Sequence, residues 1–151
     1  MTSWVIKGLT LDDAPALARN NMSAFWTDPN WVILWPGKKL EYIIEQVVKR
    51  APNMLIRDRE VFRHQKAVDP ETGALMGYAR WVLPAEVAKT ASGDPAWPEA
   101  QIPAVSEAER AEIKRVADSA WWKPKDVPLD GVNMDASLRI MAGKPHLSKL
   151  L

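Results

Sequence analysis

The chain has no cysteine, and only 2 His, 2 Phe, 2 Tyr and 7 Gly among its 151 residues. Without a thiol, a disulfide framework, a thiolate metal site and cysteine nucleophile chemistry are all excluded. His64 and His146 alone are too few for a histidine-rich metal centre. An excess of one charge is missing too. Lys plus Arg is 20 and Asp plus Glu is 19, which leaves a net charge of +1. A nucleic-acid binder that works mainly through charge carries a strong basic excess, so no nucleic-acid partner is expected. No run approaches the roughly 18 apolar residues of a membrane-spanning helix. The start, Met1-Thr2-Ser3-Trp4-Val5-Ile6-Lys7, lacks a basic stretch feeding a long apolar one, so it does not read as a secretory leader. No membrane partner is expected, and the expected compartment is the cytoplasm.

The excesses are 8 Trp and 12 Pro. Hydrophobic residues make up 47% and charged residues 26%, ordinary values for a globular chain of one domain spanning 1–151. Ser3 to Thr10 is short and mostly apolar and reads as a first strand. Pro15 fits only the first turn of a helix, which predicts a start near Asp12, with Asp12 as N-cap and Asp13 favourable at the positive end of the dipole. Leu17, Ala18, Met22 and Phe25 then recur at helical spacing, up to Asp28-Pro29. An apolar loop or turn, Trp31 to Gly37, precedes the strongest periodicity in the chain. There Leu40, Ile43, Ile44, Val47, Val48 and Ala51 form one stripe, which Pro52-Asn53 is expected to close.

From Asn53 to Arg63 the pattern is open between a helical turn and a strand. Gln65 to Val68 and Leu75 to Leu83 predict a hairpin, because Asp69-Pro70-Glu71-Thr72-Gly73 has turn chemistry throughout. The second arm is apolar at nearly every position, which predicts a central strand covered on both faces. Residues 84–105 form a Pro-rich loop insertion. Ser106 and Glu109 then make a capping box for a helix expected to reach Trp121-Trp122. A last helix over about 132–142 and a strand from His146 complete the expected order. The fold class is α/β, a mixed sheet flanked by helices, with a helical insertion after the central hairpin.

Several segments resemble the GNAT superfamily of N-acetyltransferases. Ile6-Lys7-Gly8-Leu9-Thr10-Leu11-Asp12-Asp13-Ala14-Pro15 resembles the family's opening strand and acidic first helix. Lys66 to Gly73 with Leu75-Met76-Gly77-Tyr78-Ala79-Arg80-Trp81 resembles its central hairpin. The helix over 106–122 is similar to that of the fungal small-molecule branch, and Met141 to Leu147 resembles the approach to a fourth strand. The resemblance covers nearly the whole chain but only about the first two-thirds of a full member. It implies an acceptor pocket for an amine-bearing small molecule and acetyl-CoA as cofactor. The family holds the cofactor's pyrophosphate on an Arg/Gln-x-x-Gly-x-Gly/Ala turn at a helix N-terminus, where small residues let backbone N–H groups reach the phosphates. The last glycine here is Gly143, so that turn and the family's late catalytic tyrosine have no counterpart. The chain reads as truncated before the cofactor loop, and weak or inactive with acetyl-CoA.

The candidate substrate-binding residues are Trp26, Trp31, Trp35, Tyr78 and Trp81, and the candidate catalytic residue is His146. The resemblance places the segment carrying Trp26, Trp31 and Trp35 along the acceptor pocket. Their residues alone leave packing open as the alternative, more so for Trp26, which follows the helical stripe. Tyr78 and Trp81 fall on opposite strand faces, so one faces the pocket and the other packs in the core. His146 suits a general base, and equally suits a half-exposed residue at a strand start. His64, between Arg63 and Gln65, is expected in solvent. Trp121-Trp122 reads as a packing anchor, with a cation–π role as the lesser alternative. Two further functions stay open: a tailoring enzyme that works without CoA by cyclase, isomerase or lyase chemistry, and a homodimeric binding module joined through an open sheet edge.

Overall fold

A computed structural model describes residues 4–32, 34–35 and 37–121. Three stretches pair into an antiparallel sheet of order β1-β2-β3: β1 (Val5–Gly8), β2 (Phe62–Val68) and β3 (Leu75–Val82). Val5 stands opposite Val68 and Gly8 opposite Gln65, while Phe62 stands opposite Val82. The described strands are all antiparallel, not mixed. Asp69 makes the hairpin turn as expected. Its carboxylate accepts from the N–H groups of Glu71 and Thr72 at 2.8 and 3.2 Å, and Gly73 takes φ +70°.

Among the described strands the central one is β2, and the apolar β3 pairs with it alone. In β3, Met76, Trp81 and Val82 are exposed. An apolar run says that a strand has a high apolar content, not which neighbours it finds. Here the middle position went to Phe-Arg-His-Gln-Lys-Ala-Val, whose Arg63, His64 and Lys66 side chains each find hydrogen-bond partners within the protein.

Helix α1 (Ala14–Phe25) begins through a 3₁₀ turn, Leu11–Asp13, whose cap is Thr10 rather than Asp12. The Asp13 carboxylate accepts from the Thr10 N–H at 2.8 Å, so the acidic residue satisfies the donor preceding the turn. Leu17, Ala18 and Met22 are buried as their spacing implies, but Phe25 is exposed. A short helix α2 (Pro29–Val32) leads to α3 (Leu40–Leu55). Pro52 does not end α3. An interior proline forfeits one backbone bond and typically costs about 3 kcal/mol. The extra turn buries Leu55 completely and places Ile56 beside it in the core, which offsets that cost.

The Pro-rich insertion folds back onto the sheet. Ala88, Ala100 and Ile102 are buried, and the Arg59 Nε–H donates to the Ile102 carbonyl at 2.7 Å. Ser106 and Glu109 form the expected capping box of α4 (Glu107–Asp118). This helix stops short of Trp121, whose N–H donates to the Gln46 side chain of α3 at 2.9 Å. The apolar interior forms two clusters. One holds Leu9, Leu17, Leu55, Ile56 and Ile102. The other, between α1 and α3, holds Ala18, Met22, Trp35, Ile43 and Ile44. The expected helix over 132–142, the strand from 146 and His146 itself lie outside the described residues. No described helix is long and apolar enough to cross a membrane.

Candidate aromatic binding site

The helix-rich cluster is rimmed by aromatic rings. Trp31 comes from α2, Trp35 from the turn that follows, Tyr42 from the first turn of α3, and Trp121 from the segment after α4. The sequence brings them together because α1 and α3 pack side by side, and the chain between them must turn over their shared end. The Trp31 and Trp35 rings meet nearly edge to face, with centroids 6.0 Å apart at 64°. Trp35 and Trp121 are 6.3 Å apart at 58°, and Tyr42 and Trp121 are 6.1 Å apart at 55°. These tilted arrangements suit the ring quadrupoles and leave ring faces turned outward. Trp35 is only 2% exposed, so it is the floor of the group. Trp26 packs partly buried against the same cluster.

One cation already sits on the rim. The Lys38 ammonium lies 4.8 Å from the Trp121 ring centroid and 5.1 Å from that of Tyr42. Both distances are inside the range where a cation is attracted by the negative ring face. Gly37, just before it, has φ +68° and open space where a Cβ would stand, so the chain reverses tightly there. The Trp31 indole N–H is buried with no acceptor among the described residues.

The five expected binding residues are not gathered in one pocket. Trp26, Trp31 and Trp35 share the cluster between α1 and α3. Tyr78 belongs to the other cluster, against the face of the sheet. Trp81 is 48% exposed; its indole N–H donates to the Gln65 side chain at 3.1 Å, and its ring tilts against Trp97 of the insertion. Tyr78 and Trp81 do point to opposite sides, as strand alternation requires. An open groove of about 590 Å³ runs between α1 and the start of β3, lined by Ala16, Arg19, Asn20, Ser23 and Leu75. None of the expected binding residues lines it.

His64 departs furthest from its expectation. It is 1% exposed, not in solvent. Its Nδ1 shares a hydrogen bond of 2.9 Å with the Tyr78 hydroxyl, and its Nε2 has no partner among the described residues. Burial, then the positive charges of Arg80 and Arg63, lower the imidazole to about 4, so it is neutral at neutral pH. Burial raises the Tyr78 phenol, partly opposed by Arg80. The pair is therefore uncharged, and no described cavity brings a substrate to it.

Two charged side chains lock this sheet in place. On the side of β2 opposite His64, the fully buried Arg63 guanidinium donates only to backbone carbonyls. It reaches Ala96 at 2.7 Å, Phe62 at 2.8 Å, Arg59 at 3.0 Å and Ala88 at 3.3 Å. The Lys66 ammonium donates to both Asp13 carboxylate oxygens, at 2.6 and 2.7 Å. Burial alone raises the Asp13 carboxyl, but the hydrogen bonds and charge of Lys66 together with the Thr10 N–H hold it below its ordinary value.

The sequence singled out neither Lys38 nor Tyr42 nor the role of Arg63. Lys38 and Tyr42 carried a usable signal, a cation and an aromatic ring four positions apart at a helix start. Trp121 was weighed mainly as a packing anchor, and its ring serves both packing and the cation. No group of three or more potential metal ligands occurs among the described residues. No family model, no curated protein and no solved structure matches this chain.

Proposed function

We propose that this chain is a small-molecule-binding domain of GNAT-like build, whose aromatic cluster recognises an amine-bearing ligand. The observation that carries the reading is the Lys38 ammonium held over Tyr42 and Trp121, which shows these rings disposed to take a cation. The order of elements is compatible with the resemblance: a first strand, helices, then a hairpin whose inner arm pairs antiparallel with that strand. The described residues do not fit the acetyl-CoA pyrophosphate. Gly73 and Gly93 occupy turns that lead into no helix of useful length, and Gly37, which does precede α3, has Lys39 two positions on in place of the small residue that the turn needs. No transfer step is therefore derived through acetyl-CoA.

Calorimetric titration with n-butylammonium, with and without acetyl-CoA, tests the reading. Saturable one-site binding that needs no acetyl-CoA supports it. Absence of saturable binding under both conditions overturns it. A second reading, pairing of two copies, draws on β1, which lies at the edge of the described sheet: Ile6 is 57% exposed, Val5 is exposed beside it, and so is Trp4 just before the strand. Light scattering that finds only monomer at high concentration removes that reading.

A further inference from the structure

We infer that Lys38 is an internal plug in a site for alkylammonium ions that carry no transferable proton, such as quaternary ammonium groups. This rests on the amine-binding reading above and names both its ligand class and its control.

The geometry separates this site from ordinary packing. Tyr42 and Trp121 are tilted by 55° with centroids 6.1 Å apart, and both rings lie within reach of one exposed cation. Lys38 supplies that cation, at 4.8 and 5.1 Å from the ring centroids. Apart from these rings, no described residue makes an ion pair or hydrogen bond with the Lys38 side chain. Its ammonium is held there by ring faces rather than by a carboxylate. A cation held this way is exchangeable for any other cation of similar size. An ammonium with three N–H donors keeps much of its hydration when exposed, whereas an alkylated one sheds water readily and presents methyl groups to the rings. The site therefore favours the alkylated cation once the lysine leaves.

The lysine has room to leave. It is exposed, and it follows Gly37, where φ is +68° and nothing would touch an added Cβ. The backbone at Lys38 is tied to Trp35 by one turn hydrogen bond of 3.1 Å, which does not restrain the side chain.

The test uses tetramethylammonium chloride as the probe, against sodium chloride at equal ionic strength. The readout is the Trp121 indole N–H resonance in a ¹H–¹⁵N correlation spectrum, assigned from Trp121→Phe. Lys38→Met removes an exposed side chain and leaves the core untouched. The expected result is a saturable shift in both proteins, with binding about tenfold weaker in the wild type than in Lys38→Met. Adding Tyr42→Leu to Lys38→Met should abolish the shift. Equal affinities for the wild type and Lys38→Met overturn the plug while the amine site stands. A shift that survives Tyr42→Leu overturns the placement of the cation on these rings. No saturable shift in either protein overturns the plug and the quaternary ligand class. The separate n-butylammonium titration then shows whether the amine-binding reading falls with them.

Discussion

His64 Nδ1 lies 2.9 Å from the Tyr78 hydroxyl oxygen, and the two rings stack at 15° with centroids 6.0 Å apart. The strand register explains the contact. Tyr78 stands opposite Lys66 and Arg80 opposite His64, so the pair is a diagonal neighbour within reach of aromatic side chains. A polar pair this deep is stable because each partner satisfies the other. Removing one leaves a buried polar group behind, which costs about 1–3 kcal/mol, whereas replacing both with apolar groups of similar shape is nearly neutral. Tyr78→Phe and His64→Phe should each lower the urea midpoint. The double variant should lose less than their sum, and strict additivity refutes the coupling.

The same pair gives stability a pH dependence of defined sign. The unfolded imidazole titrates near 6.5 and the folded one at about 4. Between those values the unfolded chain binds a proton that the native state does not. Stability from His64 is therefore fully present above pH 6.5 and is lost as pH falls towards 4, by about 3 kcal/mol in all. The double variant His64→Phe/Tyr78→Phe should show a shallower loss of urea midpoint between pH 7 and 4.5 than the wild type. Carboxylate effects, including that of Asp13, are common to both proteins and cancel. Parallel pH profiles contradict the assignment.

Arg63 should behave as a tether for the insertion, not as a charge. Its guanidinium donates to the carbonyls of Ala88 and Ala96 in the insertion and to those of Arg59 and Phe62 beside it. Arg63→Met removes the guanidinium donor from all four carbonyls; Ala88 keeps the Ala96 N–H and Arg59 keeps the Gln101 side chain, but Ala96 loses its donor, with an expected loss of about 1–3 kcal/mol. Lysine keeps the charge but lacks the planar fork, so Arg63→Lys should not restore the loss. Limited proteolysis should then cut within residues 84–103 faster in both variants. Full rescue by lysine would show that charge alone matters.

The elements that follow from local chemistry were legible in the sequence. The Asp69–Gly73 turn, the Ser106–Glu109 capping box and the stripes of α1 and α3 each rest on residues close in the chain. Whatever depends on a distant partner was not legible. His64 looked solvated because it sits among Arg63, Gln65 and Lys66. It is buried because Tyr78 accepts it, and because Lys66 is neutralised by Asp13 53 positions away. The run Leu75 to Leu83 looked central, yet among the described strands the middle place is held by β2, through its pairing with β1. At the candidate site, Trp26, Trp31 and Trp35 do gather in one cluster, as their closeness in the chain allows. Tyr78 packs in the other cluster and Trp81 on the outer face of the sheet, because sequence proximity to a motif says nothing about which of two clusters a strand residue meets.

Core and rim tryptophans should separate by stability. Trp35 is the buried floor of its cluster, so Trp35→Ala should cost about 3–5 kcal/mol. Trp81 is half-exposed and makes one side-chain hydrogen bond, so Trp81→Ala should cost about 1 kcal/mol or less. Trp121→Ala should fall between them. Thermal melts give the order, and a larger loss at Trp81 than at Trp35 would invert the core described above.

Gly8 ends β1 where the insertion crosses it, and no side chain fits there. A Cβ on Gly8 would collide with the carbonyl oxygen of Glu99 and stand 3.1 Å from the Glu99 carbonyl carbon. These are backbone atoms, which cannot rotate aside. Their 3₁₀ turn, Pro98–Ala100, is entered through Trp97 at φ +54°, a conformation unusual for a tryptophan. The turn therefore has little freedom to shift without disturbing Ala100 and Ile102 in the core. Gly8→Ala should cost about 1–3 kcal/mol, the range for inserting volume into packed structure. Gly77 is the control, since its added Cβ would meet only the Ala67 Cβ, at an ordinary 3.9 Å. Gly77→Ala should be neutral, or stabilising by about 0.4–1 kcal/mol through the unfolded chain. Urea midpoints of the two variants decide the matter. Equal values would mean that the insertion does not lie against β1, and the Arg63 tether would lose its anchor on Ala96 with it.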